Sequence, residues 1–269
     1  HQDNLFTIGS RAPQKDILIL ASCRGVPHLN YLNRYNEMNG QPFRITFISP
    51  HEYSTTSGGH NRQLNEEMLR LESDPRVLQA INDCDIFIHE HHASFGIFNT
   101  SYASEKHIYQ FGMDPEVNIC LPSFNDVFLQ VQDLVRYDVE IMSEYLKAPT
   151  PIGVLSEEMK LRIVHTAAFH EGRFKRSCEL SSFPEFWVYF RDNYKSKRMF
   201  WTFNHVSKHF TLELFRRMND QFLKLELSQD FWSAASEEDL FKTPFTPYTL
   251  EDQSLLGIHW DEPFSTLKL

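Results

Sequence analysis

The chain reads as an α/β protein: a mostly parallel sheet flanked by helices, with a helical C-terminal half packed over the strand ends. Three observations predict this. Apolar runs of strand length recur through the first half, at DILILAS, FRITFISP, DIFIHEHH and VNICLPS. Segments with helical spacing of apolar residues separate them. Beyond about residue 150 the pattern becomes mainly helical.

The elements follow in order. DILILAS, starting at Asp16, suits a strand buried on both faces. Pro27 fits the first turn of the next helix, whose apolar positions are Leu29, Leu32, Tyr35 and Met38 and which Gly40 stops. FRITFISP is the second strand and SGGHN a turn. Residues 61–80 are helical with an interruption near Pro75. DIFIHEHH and VNICLPS are the third and fourth strands. Ser123 and Asp126 have capping-box spacing before a long amphipathic helix carrying Val127, Phe128, Val131 and Leu134. The linker KAPTPIG sets a boundary, giving a sheet region over 1–150, a helical cap over 151–227 and an irregular tail over 228–269. In the cap, helices are expected from Ser156, over 182–194 and over 207–225, with a short aromatic strand at RMFWTFNH. The last helix turns Phe210, Leu214, Phe215, Met218 and Phe222 inward.

Composition narrows the function. With 269 residues and 23 Phe, the chain can bury a substantial core. The net charge of −10 argues against nucleic-acid binding, which needs a basic footprint. No apolar run approaches the roughly 18–20 residues of a membrane span. The N-terminal stretch lacks the apolar core of a secretory signal. Cys23, Cys84, Cys120 and Cys178 form no CxxC pair, so reduced thiols and a cytoplasmic location are expected.

Ligands of such sheets sit beyond the carboxyl ends of the strands. Those ends are SCRG, SPHEY, HEHH and PSFND. Cys23 stands where strand gives way to helix, a position where the helix dipole and Arg24 would favour a thiolate. Gly25 would let backbone approach a ligand, and free N–H groups there would suit a phosphate or oxyanion. The plainer alternative is a compact residue closing the strand. In HEHH, alternation puts His89 and His91 on one face and Glu90 and His92 on the other. Two imidazoles on one face can bind a metal, with a third ligand from His51 or His205, but the spacing matches no zinc pattern. A polar strand end is the better reading, and no metal is expected. Asn204 and His205 precede a helix with Lys208 in its first turn; His205 suits a general base and Asn204 an oxyanion donor. The basic runs GRFKR, with Arg173, Lys175 and Arg176, and KSKR are either solvated faces or phosphate contacts.

These motifs resemble the WcbI-type polysaccharide biosynthesis family. That family's first strand typically ends Gly-Asn-Cys-Gln, and a late segment commonly reads Asn-His-Pro-Ser. Here the two are Ala21-Ser22-Cys23-Arg24 and Asn204-His205-Val206-Ser207, so Cys23, Asn204, His205 and Ser207 match while Ser22, Arg24 and Val206 depart. The resemblance spans residues 16–218. It implies a coenzyme A-binding acetyltransferase of capsule or surface-glycan synthesis, with acyl-coenzyme A and a glycan acceptor as partners. On that resemblance Cys23, His205 and Asn204 form the catalytic set: His205 is the base, Asn204 or the Cys23–Gly25 backbone stabilises the oxyanion, and Cys23 is either a covalent acyl carrier or a lining residue. Ser22, Arg24, Gly25, His89, His91, Ser123, Lys208, Arg173, Lys175 and Arg176 bind coenzyme A or acetyl-coenzyme A. The alternatives are a Ser/Cys–His esterase-like hydrolase, a non-catalytic glycan- or nucleotide-binding protein and a metal-dependent hydrolase.

Overall fold

The structure, a computed structural model, describes residues 5–48, 74–90, 114–122, 157–202, 205–242 and 255–260. The chain has an α/β fold built as two compact units. The first comprises His1–Ser123, Leu180–Phe183 and Leu214–Glu237, and the second Phe124–Glu179, Pro184–Glu213 and Glu238–Leu269. The first unit thus takes in a stretch of the C-terminal half.

The first unit is a five-stranded sheet in the order β1-β3-β2-β4-β5, with β1 Leu5–Gly9, β2 Lys15–Leu20, β3 Phe43–Ile48, β4 Ile86–Glu90 and β5 Val117–Leu121. β2, β3, β4 and β5 pair in parallel and correspond to the four expected strands. β1 was not expected; it lies antiparallel along β3, with Phe6 stacked on Phe47 at 5.4 Å. Ile17, Leu18, Ile19, Ile45 and Ile88 are essentially inaccessible, as apolar strands covered on both faces must be. The chain goes from β2 outward to β3, then returns to β4 on the other side of β2. The carboxyl ends of β2 and β4 therefore flank the point where strand order reverses.

Helix α1, Val26–Met38, carries Pro27 in its first turn. His28, Leu29, Tyr31, Leu32 and Asn36 face inward, whereas Met38, expected inside, is exposed. Asn36 takes the inward place in the last turn because its amide is needed there. It donates to the Phe43 carbonyl at 2.8 Å and accepts from the Phe43 N–H at 2.7 Å, tying the helix end to the start of β3. Helix α2, Pro75–Asp83, is capped by the Asp74 carboxylate on the Arg76 N–H at 2.9 Å and buries Val77 and Ile81. The long helix expected after Ser123 and residues 61–73 lie outside the described residues.

The second unit contains most of helix α3, Glu157–Leu180, together with helix α4, Phe186–Asn193, and the antiparallel pair β6, Phe200–Thr202, with β7, His205–Val206. Its core is aromatic. Phe174, Phe186, Phe190, Phe200 and Phe210 are buried and meet mostly edge to face, with Phe174–Phe190 and Phe186–Phe210 centroids both at 4.7 Å. The expected helix over 182–194 begins later, at Phe186. The Ser182 N–H bonds the Cys120 carbonyl and its hydroxyl accepts the Cys120 N–H, both at 2.8 Å, so these groups extend the β5 edge instead of starting a helix.

Helix α5, Lys208–Met218, widens into a π turn over Asn219–Leu223 that ends at Lys224, in the left-handed region at φ 56°. Phe222, expected inside the helix, is half-buried against Phe183 instead. The stretch expected to be irregular from residue 228 opens with helix α6, Gln229–Glu237. The Ser228 hydroxyl accepts the Phe231 N–H at 3.1 Å, and Phe231 and Ala235, one turn apart, are buried. Phe215 packs on Phe231, Tyr31 and His28 within the sheet unit. Among the described residues no helix is long and apolar enough to cross a membrane.

Candidate functional site

β2 ends at Leu20 and the backbone tightens into a single 3₁₀ turn, Cys23–Gly25, before α1 begins. The Ser22 hydroxyl caps this turn, accepting the Arg24 N–H at 3.3 Å and the Arg24 side-chain Nε–H at 3.1 Å. The same hydroxyl donates to Glu90 Oε2 at 2.7 Å, and the Ser22 N–H reaches that oxygen at 2.9 Å. Arg24 Nε lies 2.7 Å from Glu90 Oε1, both side chains being buried. Ser22, Arg24 and Glu90 thus close a small ionic cluster beneath the turn, and Cys23 is its half-buried member.

The parallel register explains how Glu90 arrives there. His89 of β4 stands beside Leu20 of β2, so Glu90, one residue on, faces the strand end that leads into Ser22. Sequence reasoning placed Glu90 in HEHH but gave it no role. A carboxylate inside an otherwise apolar strand calls for a cation, and that was the available signal. His28 was also passed over. It is fully buried in α1, stacked on Phe215 at 6.2 Å, and its Nδ1 has no hydrogen-bond partner. Burial pushes its pKa down to about 4, although Glu90 pulls the other way.

Burial raises the Cys23 thiol pKa most, Arg24 opposes that, and Glu90 raises it further. Arg24 is buried and paired with Glu90. Ser22 is completely buried, its hydroxyl donating to Glu90. Gly25 makes room for the sheet. A Cβ there would lie 2.5 Å from the Ala21 Cβ and 3.3 Å from the Phe47 ring.

The other expected residues divide by location. His89 is buried on the opposite face of β4 from Glu90, stacked on Phe87 at 4.8 Å with its Nε2 3.1 Å from the Asn118 side-chain oxygen. In the second unit, His205 stacks flat on Phe241 at 4.4 Å. Lys208 opens α5, its N–H donating to Asp239 Oδ1 at 3.2 Å. Arg173, Lys175 and Arg176 lie exposed on α3; Arg173 sits over the Phe169 ring, and Glu179 approaches Lys175 at 4.0 Å and Arg176 at 3.4 Å. Arg198, from the second basic run, is buried between the rings of Trp201 at 4.1 Å and Trp260 at 5.4 Å. His91, Ser123 and Asn204 lie outside the described residues. Among the described residues no three His, Cys, Asp or Glu side chains gather as a metal site.

No protein-family model matches the chain, and no curated protein matches it. A solved structure does. It is that of WcbI, described as a novel polysaccharide biosynthesis enzyme, in a native form without a disulfide bond between coenzyme A and one of its cysteines. The match has a TM-score of 0.50 at 13% identity and covers 84% of this chain and 74% of that one. This chain therefore shares an α/β fold with that polysaccharide biosynthesis enzyme.

Proposed function

We propose that this protein binds coenzyme A or acetyl-coenzyme A and transfers the acyl group to a sugar or polysaccharide hydroxyl in surface-glycan synthesis. The observation that carries the reading is the half-buried Cys23 thiol at the carboxyl end of β2, beside the reversal of strand order. The WcbI structure, which shares the fold, is described with coenzyme A and a cysteine. The residues here fit the thiol end of that cofactor, since the Cys23 turn presents a neutral sulfur above an internally balanced ion pair.

Bound as its thioester, coenzyme A supplies an activated acyl group. His205 would take the proton from the acceptor hydroxyl as its oxygen attacks the acyl carbon and return it to the departing coenzyme A sulfur, and Asn204 would donate to the acyl oxygen as charge develops there. Cys23 lines the thiol end, its pKa raised chiefly by burial. Lys208, Arg173, Lys175 and Arg176 are the cations proposed for the nucleotide phosphates, and His91 and Ser123 are proposed as further contacts to the cofactor.

Thermal unfolding with and without coenzyme A tests binding. Ligand at about 100 times its dissociation constant adds about 2.7 kcal/mol. An unchanged melting temperature at millimolar ligand would overturn the proposal. If binding holds, Cys23→Ala keeps turnover of acetyl-coenzyme A with a glycan acceptor, whereas His205→Ala loses about 10²–10⁴-fold.

A further inference from the structure

We infer that Glu90 is the positioning residue of the strand-end site: a built-in anion that fills the place a bound phosphate would take, committing the Cys23 turn to an uncharged end of its ligand. The inference rests on the reading of Cys23 as ligand-facing.

A junction from strand to helix ordinarily offers its N–H groups to an anion. Here the Ser22 N–H and hydroxyl and the Arg24 guanidinium all converge on the two oxygens of Glu90, at 2.7–2.9 Å. The carboxylate comes from a strand 68 residues further along the chain. Its side chain is only 2% exposed, so its charge depends on these donors and not on water. Among the groups that face it are Ser22, Arg24 and Cys23 on the turn, His28 on α1 and Cys120 on β5. Burial keeps His28 neutral and pushes the Cys120 thiol up to about 12, so of these Arg24 is the cation that pairs with Glu90. An anionic group approaching Cys23 meets Glu90 with its cation already taken. A thiol or thioester meets no such penalty.

Alkylation of Cys23, followed by the mass of its peptide, tests this with a neutral reagent, iodoacetamide, and an anionic one, iodoacetate. The thiolate attacks the methylene carbon of either reagent and iodide leaves, so both rates report its population. The wild-type protein should favour iodoacetamide by at least about tenfold more than a free cysteine peptide does, and its rate should still be rising above pH 9.0, the ordinary thiol value. In Glu90→Gln, that preference should fall by about tenfold and the profile should move to lower pH, because Arg24 loses its counter-charge. A folded Glu90→Gln protein with unchanged preference and profile would overturn the inference. Should that variant fail to fold, the wild-type protein decides: selectivity and pH profile equal to those of a free cysteine would also overturn it. Coenzyme A takes no part, so a failed coenzyme A shift and a failed alkylation result are separate outcomes.

Discussion

Arg24 in the sheet unit and Arg198 in the helical unit are both buried, and each is accommodated by different chemistry. Arg24 meets a carboxylate at 2.7 Å, with Ser22 bonded to both partners. Arg198 lies between two tryptophan faces and donates its Nε–H to the Phe200 carbonyl at 3.1 Å. A carboxylate has direction: it fixes one turn in one geometry and leaves a bare buried charge when its partner goes. Ring faces are also core packing, and they remain useful when the cation is replaced by an apolar chain.

Substituting each arginine by methionine puts that contrast to the test. Arg24→Met should cost about 3–5 kcal/mol in urea unfolding, because Glu90 stays buried without its cation. Arg198→Met, which keeps the stem against both rings, should cost about 1–2 kcal/mol. Equal losses would break the comparison. Adding Glu90→Leu to Arg24→Met should recover most of the first loss, since an apolar pair has no charge left to solvate.

His28, in the sheet unit near Glu90, sharpens the point through pH. Its pKa falls from 6.5 to about 4 on burial, so between those values the unfolded chain binds a proton that the native state does not. Stability from this residue is complete above pH 6.5 and drains away as pH drops toward 4, by on the order of 3 kcal/mol. His28→Leu should flatten that part of the stability–pH curve. A curve that keeps its slope would show that burial does not govern this imidazole.

A further substitution tests the packing under the turn. Gly25→Ala drives a methyl against the Ala21 Cβ and should cost about 1–3 kcal/mol by thermal unfolding. A neutral result would mean that α1 can lift from β2 without loss.

β2 and β4 were legible because strands buried on both faces leave apolar runs with little else in them, and β3 and β5 keep enough apolar residues to show as runs of strand length. β1 was not, since LFTIG is half-exposed and short, and only its pairing with β3 makes it a strand. α6 shows one buried i,i+4 pair, too little periodicity to separate from a turn-rich tail. At the site, Cys23 could be found because its position follows from a local strand-to-helix change. Glu90 could not be assigned its role, because the meeting of Ser22 with a carboxylate 68 residues away depends on strand register. The local pattern of HEHH drew attention to imidazoles, while the side chain serving the Cys23 turn lay between them. Arg198 stands out in sequence only as part of a basic run: Trp201 lies three residues on, but Trp260 arrives from 62 residues further along the chain.

β1 changes what the sheet offers at its margin. Without Leu5–Gly9, one flank of β3 would present unsatisfied amides beside an apolar strand, an adhesive margin for a second chain. With β1 in that place the sheet ends on a short, half-exposed strand, a poorer template for a stranger.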